Sequence, residues 1–118
     1  MAYDYVNVTF ELVPLGTGLP YGGLTFEVSD YVMDTLTGAL VIVPPVVMNY
    51  TGGTIPGPVT MEFLATDSQN LTHGWSWILT AKLSDRVIPL PRRSFAILFA
   101  NGADQTFAEL AATSAIVP

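Results

Sequence analysis

Cysteine is missing from this 118-residue chain. Disulfides, thiol nucleophiles and cysteine-based zinc or iron–sulfur sites are excluded with it, while the redox compartment stays undetermined. Positive charge is nearly missing too: Lys82, Arg86, Arg92 and Arg93 stand against ten acidic residues, for a net charge of −6. Binding to a phosphate-rich polymer depends on clustered cations that release counterions, so the sequence argues against nucleic acid as a partner. Histidine occurs once, as His73 between Thr72 and Gly74. A single imidazole in one chain cannot supply a Ser-His-Asp arrangement or the several ligands of a zinc site, and a solvated loop residue is the simpler reading. Charge of either sign is scarce, at 12% of residues, where soluble domains carry about 25%. Thr, Ser, Asn and Gly can keep a surface wet, yet so sparse a charge suggests that a partner or other copies of the chain cover part of the outside. The longest apolar run, Ala39 to Met48, is broken by Pro44-Pro45 and falls short of the roughly 20 residues that span a bilayer. The opening Met1-Ala2-Tyr3-Asp4-Tyr5 lacks the basic-then-apolar layout of a secretory leader. No membrane insertion is expected, and synthesis in a cytoplasm is.

Half the residues are apolar, enough to exclude intrinsic disorder, and the length suits one core, so residues 1–118 are read as a single domain. Val6, Val8, Phe10 and Leu12 alternate with polar residues, the mark of a strand with one wet face. A dense Gly/Pro turn from Pro14 to Gly23 leads to a second alternation at Leu24, Phe26 and Val28. Residues 30–38 are ambiguous. Ala39-Leu40-Val41-Ile42-Val43 predicts a strand buried on both faces, and Pro44-Pro45 forces a bend before Val46 to Tyr50 continues. Val59, Met61 and Phe63 mark a further strand, 65–74 a polar loop, and Trp75 to Leu83 an aromatic strand. Ser84-Asp85-Arg86 reads as a turn, Ser94 to Phe99 as the last strand, and Gln105 to Ala112 as a helical turn. The fold class is all-β: a single antiparallel β-sandwich with Gly/Pro-rich loops and at most one short C-terminal helical turn.

Motifs that would carry chemistry are scarce. Ser76 in Gly74-Trp75-Ser76-Trp77 lacks the second glycine of a nucleophile elbow. Asp30, Asp34 and Asp67 do not build the dense oxygen cage that calcium needs, and Asp67 reads as a turn or cap residue. Glu27, Glu62 and Asp67 are not excluded by spacing as a carboxylate pair for glycosidic chemistry, but a small domain offers little room for a deep cleft. Gly22-Gly23 and Gly52-Gly53 read as turns, since neither leads into the Lys-Ser/Thr pair of a phosphate loop. No catalytic residue, cofactor or metal site is expected. Trp75 and Trp77 share strand parity and hence a face, which is either the core or a stripe that stacks on sugar rings.

The order of several short segments resembles a family of minor tail proteins from phages of actinobacteria. They are Gly18 to Phe26, Val41-Ile42-Val43-Pro44-Pro45-Val46, Phe63-Leu64-Ala65-Thr66-Asp67, Gly74-Trp75-Ser76-Trp77, Ser94 to Ile97, and Phe107 to Leu110 running on to Pro118. Two departures are Ser68-Gln69-Asn70, where the family has a loop proline, and Gly52-Gly53-Thr54, which lacks the family's aspartate. The resemblance implies a prealbumin-like or carboxypeptidase-regulatory-like sandwich, a structural and non-enzymatic role, and a place in the virion at the tail tip or its fibres. Partners would then be other phage virion proteins, with a homo-oligomer expected. Contact surfaces are expected at the N-terminal strand, with Tyr3 and Tyr5, and at the C-terminal segment 113–118, with Ile116 and Val117. Two other readings stay open: a carbohydrate-binding module in which Trp75 and Trp77 stack on a host glycan, and a capsid decoration protein.

Overall fold

The alternation that marks the first strand also decides what it packs against. The computed structural model describes residues 3–11, 22–50, 58–83, 91–112 and 114–116. Within them β1 (Tyr5–Phe10) buries Val6, Val8 and Phe10 and turns Tyr5 and Asn7 to solvent. Each such burial contributes about 1.5–3 kcal/mol relative to an exposed side chain. β1 is the middle strand of a three-stranded sheet. It pairs antiparallel with β6 (Val59–Leu64), Val6 opposite Phe63 and Asn7 opposite Glu62, and parallel with β9 (Asp104–Thr106). That parallel pair departs from the all-antiparallel expectation. The chain returns through a 3₁₀ turn, Phe99–Asn101, which carries it round to enter β9 in the direction of β1.

The second sheet has five strands in the order β10 (Ala115–Ile116), β8 (Arg93–Phe95), β7 (Trp77–Leu83), β2 (Gly22–Val28) and β5 (Val46–Tyr50). A small hairpin, β3 (Val32–Met33) with β4 (Leu40–Val41), stands apart as a two-stranded sheet. The main sheets meet through aromatic side chains. Phe63 of the first sheet lies edge-on to both Phe26 and Trp77 of the second, centroids 5.1 Å apart in each pair, and Phe10 sits 5.4 Å from Phe26. T-shaped and tilted contacts of this kind satisfy the ring quadrupoles and add about 0.5–1.5 kcal/mol beyond area burial. Phe107 of the short helix α1 (Phe107–Ala111) extends the cluster to Phe10 and Phe95. An all-β, sandwich-like fold with one short C-terminal helix is the result.

Three expectations are corrected. Residues 39–43 are not a strand buried on both faces: only Leu40 and Val41 are strand, and Leu40 and Ile42 are exposed. The strand expected from Ser94 to Phe99 stops at Phe95, and two further strands, β9 and β10, follow it. Residues 65–74 make a loop, as the missing periodicity implies, yet Ala65, Thr66, Ser68 and Leu71 are buried in it. The loop is held inside by specific bonds in place of a ladder. The turns expected at 14–21, 52–57 and 84–90 lie outside the described residues, while Gly22 and Gly23 begin β2.

Candidate functional site

The buried loop is a polar hub. Asp4 ties it to the first strand: its backbone N–H donates to Ser68 Oγ at 2.8 Å, its carbonyl accepts from Ala65 N, and its Oδ2 accepts from Gln69 N at 3.1 Å. Thr66 binds the backbone of Ile97 on both sides, accepting from its N–H and donating to its carbonyl. Asp67 does the work of a cap, as its sequence context suggests. Its carboxylate accepts from Phe99 N at 2.7 Å and Ala100 N at 3.2 Å, which leaves the 3₁₀ turn no orphan donors at its start. Gln105 is buried and donates from Nε2 to the carbonyls of Leu98 and Gly102. Each of these polar groups is spent on a backbone partner, as burial requires.

Asp34 is the buried carboxylate nearest the surface hairpin. One oxygen accepts from the N–H groups of Leu36 (2.8 Å) and Thr37 (3.1 Å), and the other from the Tyr3 hydroxyl at 2.6 Å. The hydroxyl bond, helped by the two backbone donors and opposed by desolvation, holds Asp34 below the usual carboxylate range; bonding to the carboxylate first, and burial second, raises Tyr3 above the usual phenol range. Gly38 closes the same turn at φ +72°, a left-handed conformation that favours glycine, and donates to the Asp34 carbonyl. The turn is thus fixed from its first residue to its last. It presents the hairpin in one orientation.

The hairpin's outer side is apolar. Met33 opposes Leu40, and Val32 opposes Val41. Continuing that register by one residue sets Tyr31 opposite Ile42, on the same side as Met33 and Leu40. Their exposures are 77% for Tyr31, 40% for Met33, 51% for Leu40 and 80% for Ile42. Scattered exposed apolar residues are ordinary, but a paired stripe of four is not. Beside it a groove of about 250 Å³ runs between residues 41–46 and the ends of β1 and β6, with Tyr5, Pro44, Leu64 and Glu62 among its lining. Thr35 through Met61 contains no charged side chain and no histidine.

The sequence-selected residues fall in different places. Tyr3 is half-buried against the core and engaged with Asp34, Tyr5 is 46% exposed, and both line the groove. Ile116 lies in β10, whose backbone pairs with β8, Ala115 opposite Ser94 and Ile116 opposite Arg93. This segment is the edge strand of the sheet, so truncating it would expose the outer edge of β8, which stays paired with β7. Val117 lies outside the described residues. Trp75 and Trp77 are both buried, at a ring angle of 66°, and their indole N–H groups donate to the carbonyls of Thr72 and Leu64. They do not form an exposed coplanar platform for sugar rings. His73 is an exposed loop residue. Among the described residues no three His, Asp or Glu side chains gather as a metal site, and no helix is long and apolar enough to cross a membrane. The hairpin stripe was missed because Leu40 and Ile42 read as part of a buried strand and Tyr31 and Met33 fell in the ambiguous segment 30–38.

No protein-family model, curated protein or solved structure matches the chain.

Proposed function

We propose that this protein is a non-enzymatic structural component of a bacteriophage virion, a minor tail protein of the tail tip or its fibres that acts through protein–protein assembly. The observation that carries the assembly reading is the exposed apolar stripe Tyr31, Met33, Leu40 and Ile42 on the braced β3–β4 hairpin. Apolar surface gathered in this way costs solubility unless something covers it, and a chain with 12% charged residues has little else to compensate. Support for a phage tail comes from the ordered resemblance of segments such as Val41–Val46 and Gly74–Trp77 to the minor tail family. Fold alone does not select that role.

The test is the composition of gradient-purified particles. The chain should be present in them and stay with tails when tails and capsids are separated; its recovery with capsids would select the decoration reading, and its absence from particles would overturn the virion assignment. A Leu40→Ser/Ile42→Ser double variant should fold normally, since both side chains are exposed, and enter particles at least about tenfold less often. Wild-type incorporation by that variant would sink the stripe as the contact surface.

A further inference from the structure

We infer that the groove between residues 41–46 and the ends of β1 and β6 binds an extended, proline-rich segment of a partner protein, held by one arginine that pairs with Glu62. This rests on the assembly reading and names the chemistry of the partner at one place. Pro44, Pro45 and the buried Leu64 and Trp77 line the groove together with Tyr3 and Tyr5. Among its described lining residues Glu62 is the one charged side chain. It is exposed, and among the described residues no hydrogen bond or ion pair engages it.

Charge selects the occupant. An apolar segment laid into the groove takes Glu62 out of water, which is costly unless the segment brings a cation to it. The groove supplies none, and the stretch from Thr35 through Met61 has no charged side chain. The net charge of −6 draws a basic segment and repels a second copy of the chain. Arginine suits the site better than lysine. Tyr5 pairs with Leu64 across the ladder, so Glu62 is its diagonal neighbour on the same face, at a typical separation of about 7–8 Å. A planar guanidinium can lie on the phenol ring and give the carboxylate two N–H donors at once, which a lysine ammonium does not do.

The walls select the backbone of the segment. Residues 42–45 lie outside any strand, and Pro44 and Pro45 have no N–H to offer, so an occupant cannot add as a strand along this wall. A polyproline II segment needs no backbone ladder and docks in grooves lined by aromatic side chains.

Titration of the full chain with the peptide acetyl-Pro-Pro-Leu-Arg-Pro-Pro-amide, followed by calorimetry and by amide NMR shifts, tests this. Saturable binding is expected, with shifts concentrated at residues 41–46 and 62–64. Replacing the peptide's arginine with citrulline keeps its shape, removes its charge and should weaken binding by about tenfold or more. Glu62→Gln should weaken the arginine peptide to the same extent and leave the citrulline peptide unaffected. Glu27→Gln removes an equal charge from an exposed position on the other sheet and should leave both affinities unchanged. Both substitutions alter exposed side chains, so wild-type circular dichroism is expected of each. Absence of saturable binding, equal affinity for the two peptides, or equal losses in Glu62→Gln and Glu27→Gln would overturn the inference. Absence of the chain from particles would instead overturn the virion reading, whatever the titration shows.

Discussion

The Tyr3 hydroxyl donates a 2.6 Å hydrogen bond to Asp34 Oδ2, joining the segment before β1 to the turn that orients the β3–β4 hairpin. Asp34 receives two backbone N–H bonds on its other oxygen, so a single carboxylate organises both ends of the contact. Backbone bonds between Met33 and Thr72 and between Thr35 and Asn70 hold the hairpin beside this acceptor.

A pH dependence follows, and its sign differs on the two sides. Asp34 titrates below its ordinary value when folded, so its contribution to stability is complete above the ordinary carboxylate range and is lost as pH falls through the lowered value. Tyr3 titrates above its ordinary value, so its contribution is complete below the ordinary phenol range and is lost as pH rises through the raised value. Thermal melts should therefore show a plateau between these limits. Tyr3→Phe should lower the plateau and move the acid limb upward, because the largest cause of the Asp34 shift is removed.

Trp77→Ala should destabilise the protein by about 3–5 kcal/mol. The side chain is 1% exposed, packs edge-on to Phe63 and donates to the Leu64 carbonyl, so its removal opens a cavity and orphans an acceptor. Urea titration measures the loss. Adding simple saccharides to the wild type should leave tryptophan emission unchanged; a saturable shift would reinstate glycan stacking.

Asp67→Ala should cost roughly 0.5–2 kcal/mol, the range for losing an N-cap. Asp67→Asn should recover most of it, since an amide oxygen still accepts from Phe99. Amide exchange at Phe99 and Ala100 should quicken in the alanine variant only. Equal exchange in all three proteins would mean that the carboxylate does not hold the 3₁₀ turn.

Gln105→Leu keeps the side chain's approximate volume but leaves the carbonyls of Leu98 and Gly102 without their donor. An unsatisfied buried polar group costs about 1–3 kcal/mol. Chemical denaturation should show a loss in that range, and the parallel β1–β9 pairing should be the first to exchange. A neutral result would mean that water replaces the amide at both carbonyls.

Much of this was legible in the residue order. The alternation at Val6–Phe10, Leu24–Val28 and Val59–Phe63 located three strands, because a half-buried strand imprints its period on the sequence whatever it packs against. Asp67 was readable as a cap from its loop setting. Illegible were the fates of residues 39–43 and of 65–72: a run of β-branched residues looks the same whether one face or both are covered, and the buried bonds of Ser68 and Thr66 are to residues distant in sequence.

Composition and local pattern by themselves determined an all-β chain with sparse charge, Gly/Pro turns and one short terminal helix, since these depend on backbone preference and on each side chain's affinity for water. Only the tertiary structure decided that Trp75 and Trp77 face the core, that β9 runs parallel to β1, and that Leu40 and Ile42 face solvent. Those outcomes depend on which distant surface arrives to cover a given face. Sequence periodicity records that a face is apolar, not what meets it.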